Sequence, residues 1–359
     1  MVLDMNLDDL DRMRAIDVDD MLSHIDALPD QLDNAWQLAH TLPLPASYQS
    51  PRLIVLCGMG GSAIGGDLAA AIVAPTAPIP FVVLRGYDLP AFVAGPETLV
   101  IASSHSGDTE ETLAAADQAQ VRGTRLLAMT TGGQLADHAN RHGYPLWQFT
   151  YKSQPRAALG WSLGLLLGLA DRLKLAPRLG EDLAGAVAQL REAAKGYGAD
   201  SGLATNPAKR TAGQLIGRLP VFIGGGIFEP VARRWKCQFN ENAKVWAQYE
   251  PMPETHHNAV AAIEFPADHK LNLSAIVITS PTQDHPRVRL RNELMVTMCL
   301  HNAIMVDTFQ PQGDTALAQL LHAVQFGDYL SYYTAIGYGV DPTAIAPIIE
   351  LKQQLARLH

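Results

Sequence analysis

At 359 residues the chain is long enough for two domains, and an apolar fraction of 48% against 18% charged residues excludes a disordered or low-complexity polymer. A formal net charge of −9, with no basic run and no interleaving of arginine with aromatics, excludes a nucleic-acid surface, so an anionic ligand has to be held by local donors. The acidic start MVLDMNLDDLDRM lacks a signal-peptide core and AALGWSLGLLLGLA at 157–170 is too short and glycine-interrupted to span a bilayer, so a cytoplasmic protein without a membrane partner is expected.

After an acidic helix expected near 18–40, the first apolar strand is LIVLC at 53–57, followed by GMGGSAIGGD at 58–67 and a helix over 62–74. PFVVL at 80–84 and TLVIA at 98–102 are the next strands, and TLVIA runs into SSHSGDTEET at 103–112, where a helix over 110–121 begins. TRLLAM at 124–129, a helix over 134–142 and a short strand around YPLWQF complete the alternation, which predicts a mostly parallel sheet flanked by helices. Both special loops therefore lie at the carboxyl ends of strands, where open α/β sheets bind ligands.

The glycines of the first loop let backbone N–H groups approach an anion, and Ser103, Ser104, Ser106 and Thr109 of the second offer hydroxyl donors. A phosphate monoester suits that donor set. Each loop alone is also what a tight turn would give, and Asp108 with Glu111 forms a capping box that an ordinary helix start would want. Gly58, Gly60 and Ala63 fit the dinucleotide spacing G-x-G-x-x-A, but the following strand runs into Arg85, and the acidic candidate Asp88 lies beyond a glycine.

Helices over 158–173 and 181–195 lead to a linker, KGYGADSGLATNP at 195–207, which sets the domains at 1–200 and 201–359. The second half repeats the plan: strand LPVFIG at 219–224, loop GGGIFEP, helix 229–247, strand SAIVITS at 274–280, helix 286–302, strand AIMVDTF at 303–309 and terminal helices. Cys57, Cys237 and Cys299 are isolated, and no C-x-x-C or H-x-x-E-H spacing exists, so neither a disulfide framework nor a metal is implied.

On the helix 232–246, Val231, Trp235 and Phe239 share one stripe, while Arg234, Gln238 and Glu241 share another face, with Glu241 off the buried seam. Glu241 is a candidate base or a solvated carboxylate paired with Lys244. PMPETHHNAV at 251–260 is a loop carrying His256 and His257, whose imidazoles titrate near neutrality. On the last helix Lys352 falls within the apolar stripe Ile345, Ile348, Ile349, Leu355 and Ala356, so it either snorkels or meets an anion. Arg156 precedes the connector helix, where it could steady an oxyanion or cap the sheet edge.

Taken together, GMGGSAIGGD, SHSGDTEETL, KCQFNENAKVW, PETHHNAV and GDYLSYYTAIGYGVDPTAIAPIIELK resemble the bifunctional phosphoglucose/phosphomannose isomerases of the sugar isomerase (SIS-domain) superfamily, over roughly residues 50–359. The resemblance implies two SIS-type αβα sandwich domains and a metal-independent, cofactor-free aldose–ketose isomerase. That enzyme would interconvert glucose 6-phosphate and mannose 6-phosphate with fructose 6-phosphate through a cis-enediolate. It implies that Ser62, Ser104, Ser106 and Thr109, with the Gly61 backbone, hold the phosphate. It further implies that Glu241 moves the proton between C1 and C2, that His257 opens the ring, that Lys352 lies near the ring oxygen and that Arg156 steadies the enediolate. Thr343 would stand near C2, and His256 occupies a position where relatives commonly have asparagine. A homodimer with its site at the subunit interface is also implied. The rival expectations are a non-catalytic phosphosugar-binding regulator, which would have no use for Glu241, the histidines or Lys352, and an isomerase of another sugar phosphate.

Overall fold

The computed structural model describes residues 6–355 and 357, with Asp268 and His269 described through their backbone alone. The elements in chain order are α1 (Leu10–Ile16), α2 (Met21–Asp26), α3 (Leu28–Thr41), β1 (Leu53–Cys57), α4 (Gly60–Val73), β2 (Phe81–Leu84), β3 (Thr98–Ser104), α5 (Glu110–Val121), β4 (Arg125–Thr130), α6 (Gly133–His142), β5 (Leu146–Gln148), α7 (Leu159–Arg172) and α8 (Leu179–Tyr197). There follow α9 (Pro207–Leu215), β6 (Leu219–Gly225), α10 (Glu229–Gln238), β7 (Gln248–Met252), β8 (Leu273–Ile278), α11 (Pro286–His301), β9 (Met305–Phe309), α12 (Ala316–Tyr338) and α13 (Ala346–Leu355).

Contacts divide the chain into two compact units, one of Asp26–Glu192 with Gln312–His322, the other of Met1–Ile25, Ala193–Pro311 and Ala323–His359. The first unit holds a five-stranded parallel sheet in the order β2-β1-β3-β4-β5. All seven residues of β3 are buried, as a central strand covered on both faces requires. In this unit α7 forms the apolar helix of the glycine-interrupted stretch and packs on α3 and α4. Its Gly160, Gly164 and Gly168 recur every fourth residue, and a Cβ on each would lie within 2.4–2.7 Å of the Cβ atoms of Gln31, Ala35 and Ala39 on α3. The glycines thus make a seam for a second helix. Among the described residues no helix is long and apolar enough to cross a membrane.

The second unit holds a four-stranded parallel sheet in the order β7-β6-β8-β9. Its edge strand β7, in QYEPM, escapes a pattern reading because it has no alternation and contains Pro251, which an edge tolerates. The expected linker ends in α9, whose Asn206 side chain accepts from the Ala208 and Lys209 N–H groups. The single acidic helix expected near 18–40 is instead two, α2 and α3, and α1 precedes them as a separate helix. Between α1 and α2, Asp17 accepts from Met21 N at 2.8 Å and Leu22 N at 3.0 Å, which holds the start of α2. The early residues serve the later unit: Asp8 pairs at 2.9 Å with Lys209, whose side chain is fully buried.

Candidate active site

In the first unit the strand order reverses between β1 and β3, so the loops that follow these two strands flank the crevice where such sheets take ligands. After β1 the chain turns through Gly60 at φ +48° directly into α4. Gly61 has to be glycine, because a Cβ there would lie 2.6 Å from the Pro155 carbonyl oxygen and 3.3 Å from Arg156 N. The first turn of α4 therefore rests on the 3₁₀ turn Pro155–Ala158 that carries Arg156. Arg156 is buried, as is Ser62.

After β3 the hydroxyls knit the second loop. Ser104 Oγ and Thr109 Oγ1 lie 2.8 Å apart, Gly107 N donates to Ser104 Oγ at 3.0 Å, and Asp108 N donates to Ser106 Oγ at 3.2 Å. Ser104 is buried, Thr109 half-buried and Ser106 exposed. The acidic residues of this loop are engaged elsewhere: Asp108 Oδ1 accepts from Gln134 N at 3.0 Å at the start of α6, and Glu110 accepts from the Tyr87 hydroxyl at 3.3 Å. Beneath the loops Ser62, Ser103 and His105 line a cavity of about 10 Å³, room for about one water. Burial holds His105 below the usual imidazole range, partly offset by a hydrogen bond to the Ser153 backbone. Arg85, considered for a 2′-phosphate, is paired with Asp67.

In the second unit α10 buries Val231 and Trp235, and Phe239 follows them into the core. The opposite face departs from the sequence reading, because Arg234 and Gln238 are buried as well. Both donate to the buried Asp328 of α12, Arg234 through Nε at 3.0 Å and Nη2 at 2.7 Å, Gln238 at 2.8 Å. Nor does the helix run to 246. It passes into a π turn, Phe239–Ala243, that ends in Lys244 at φ +57°. Such turns re-aim side chains. Glu241 sits on it half-buried. Asn242 anchors the turn by donating to Ser331 Oγ at 2.9 Å. The Lys244 ammonium donates to Glu241 O at 2.8 Å, to Asn242 O at 3.1 Å and to Asp341 O. Asp341 Oδ1 in turn accepts from Thr343 N at 2.8 Å, so the segment bearing the buried Thr343 is tied to the turn bearing Glu241.

His256 and His257 lie on the 3₁₀ turn Glu254–His257. His257 is exposed. His256 is half-buried with its Nε2 enclosed and without a hydrogen-bond partner among the described residues, and burial, then Arg291 and His257, hold it below the usual imidazole range. Lys352 stands on α13, none of whose residues Ala346–Leu355 is buried, so among the described residues its apolar stripe is not a desolvated environment. Ala356 lies outside the described residues.

The structure thus brings Gly61, Ser62, Ser104, Ser106, Thr109 and Arg156 into one unit, and Glu241, His256, His257, Thr343 and Lys352 into the other. A pattern reading passes over Asp328 and offers Lys244 only as a surface partner of the Glu241 carboxylate, not as the donor to main-chain carbonyls that it is. Asp328 had a signal, a lone carboxylate in the apolar run AVQFGDYLSYY, whereas nothing in the pattern around Lys244 pointed to main-chain partners. Among the described residues no group of three or more His, Cys, Asp or Glu side chains could hold a metal ion.

The SIS-domain family model matches residues 47–144, and that of the bacterial phospho-glucose isomerase C-terminal SIS domain matches residues 204–355. The bifunctional phosphoglucose/phosphomannose isomerase of Caldicellulosiruptor bescii is 35% identical over 339 residues, 94% of this chain and 99% of the relative. That of Aquifex aeolicus is 31% identical over 305 residues, 85% of this chain and 90% of the relative. Among solved structures, the C-terminal domain of glucosamine-fructose-6-phosphate aminotransferase from Francisella tularensis aligns at a TM-score of 0.69 over 90% of this chain and 98% of that one, at 15% identity, a likeness of fold.

Proposed function

The chain belongs to the bifunctional phosphoglucose/phosphomannose isomerase family, and from that premise we propose that it interconverts glucose 6-phosphate and mannose 6-phosphate with fructose 6-phosphate. The Ser62, Ser104, Ser106 and Thr109 hydroxyls and the Gly61 N–H hold the phosphate. Their setting at the β1/β3 reversal, with Asp108 and Glu110 bonded elsewhere, supports this role, since a dianion needs donors and no facing carboxylates. Glu241 moves the proton between C1 and C2, His257 opens the ring, Lys352 acts near the ring oxygen, and Arg156 steadies the enediolate. Thr343 lies near C2.

The observation that carries the reading is Glu241 on a π turn braced by a buried ion pair, for a carboxylate that serves two adjacent carbons has to be held in place. A cis-enediolate route needs that carboxylate, a proton shuttle and positive charge near the developing oxyanion, and such acid–base steps supply about 10²–10⁴-fold each without a metal. We place the boundary between the two SIS domains near residue 200, between the matched stretches 47–144 and 204–355.

We further infer a cytoplasmic homodimer acting in glycolysis and gluconeogenesis, in which one copy lends His257 to the other. The exposure of His257 supports the loan, and so do Ile348, Ile349, Leu351 and Leu355 of α13, left 39–56% exposed. The test is a coupled assay with each hexose 6-phosphate in excess EDTA. Activity should persist in the native protein and vanish in Glu241→Gln, while Glu241→Gln mixed with His257→Ala should regain part of it through hybrid dimers. Full activity in Glu241→Gln, or loss to the chelator, would refute the mechanism.

A further inference from the structure

The unit that bears Glu241 also contains an apolar cavity of about 230 Å³ that the proposed reaction does not use. Ile223 and Ala275 of the sheet form one wall, Met295 of α11 another, and Ala262 and Ile263 of the segment after the histidines a third. An apolar cavity of about 150 Å³ already admits a benzene ring.

Besides the buried Cys299 thiol, one ionisable side chain lines the space. Glu250, on the edge strand β7, is half-buried in it and has neither a hydrogen bond nor an ion pair among the described residues. Burial accordingly raises its carboxyl above the ordinary range. A carboxylate in an apolar wall is costly unless a cation or donor meets it. A sugar phosphate is the wrong guest, since its dianion would face Glu250 and its hydroxyls would face Ile223, Ala275 and Met295.

We propose that this cavity is a second ligand site, built for a small primary amine with an apolar body, whose ammonium pairs with Glu250 while its ring or chain fills the space between Ala275, Met295 and Ile263. An ammonium brings three donors to one carboxylate, and the walls select a hydrophobic remainder. The site is independent of the role given to Glu241, because its lining shares no residue with the catalytic set.

Benzylamine is the probe, with benzyl alcohol and toluene as uncharged counterparts, added to the full chain carrying ¹³C-methyl methionine. The Met295 methyl signal, assigned with Met295→Leu, should shift saturably with benzylamine. Glu250→Gln should weaken benzylamine by about tenfold or more while changing benzyl alcohol little, the difference expected for a charge-assisted hydrogen bond. Ala262→Phe, a substitution at an exposed position of the wall, should abolish both responses with the fold retained by circular dichroism. The proposal is overturned by an absent or unsaturable shift at Met295, by equal benzylamine affinity in the native protein and Glu250→Gln, or by inhibition competitive with the hexose phosphate.

Discussion

Lys244 stands three residues after Glu241, the spacing of a surface ion pair, yet its ammonium is bonded to the carbonyl oxygens of Glu241, Asn242 and Asp341. Those contacts close the π turn and tie it to the segment of Thr343. Lys244→Met should therefore leave the fold intact and lower kcat for both aldose phosphates by roughly ten- to a hundredfold, the scale of a misplaced catalytic group, with less change in KM. Equal kinetics in Lys244→Met and the native protein would show that the turn holds itself. Only part of this was legible: Glu241 stood out from its flanking asparagines, whereas the lysine's partners are main-chain atoms whose position no side-chain pattern encodes.

At the scale of elements, the two sheets place similar loops after their first and third strands and use them differently. After β3 the loop turns Asp108 outward to α6. After β8, Asp284 turns inward and accepts from Thr279 Oγ1 at 2.8 Å, Ser280 N at 2.9 Å and Asn292 Nδ2 at 3.2 Å. This loop is satisfied by its own carboxylate. Asp284→Ala should cost about 1–3 kcal/mol in chemical denaturation, the penalty for stranded buried donors, with kcat/KM unchanged. Gly61→Ala should disturb function as well as stability, forcing α4 off the Pro155 carbonyl. It should raise KM for the hexose phosphate and lower stability by about 1–3 kcal/mol, read as a fall in Tm of a few degrees.

For the molecule as a whole, acid sensitivity is set in part by His322 of α12, which is buried and accepts from Gln312 N at 3.0 Å, so that its pKa is pushed down to about 4. Below its unfolded value near 6.5 the unfolded chain binds the proton that the folded chain refuses, so stability is full above that pH and falls as the pH drops toward 4. Between pH 7 and pH 5 the loss should be about 2 kcal/mol from this group, seen as a lower urea midpoint, and His322→Gln should flatten the slope. An unchanged slope in that variant would assign the sensitivity elsewhere. By itself the chain already determined every strand but β7, most helices, two parallel sheets and the loops at their carboxyl ends, because strand runs, glycine turns and capping residues act over a few neighbouring residues. Tertiary structure alone decided that α1 and α2 join the later unit, that Arg234 and Gln238 are buried on Asp328, that a π turn carries Glu241, and that Ile348, Ile349 and Leu355 of α13 stay exposed among the described residues. Each of those outcomes depends on a partner distant in the chain, or on the absence of one, and a local pattern of residues holds no information about which distant surface it will meet.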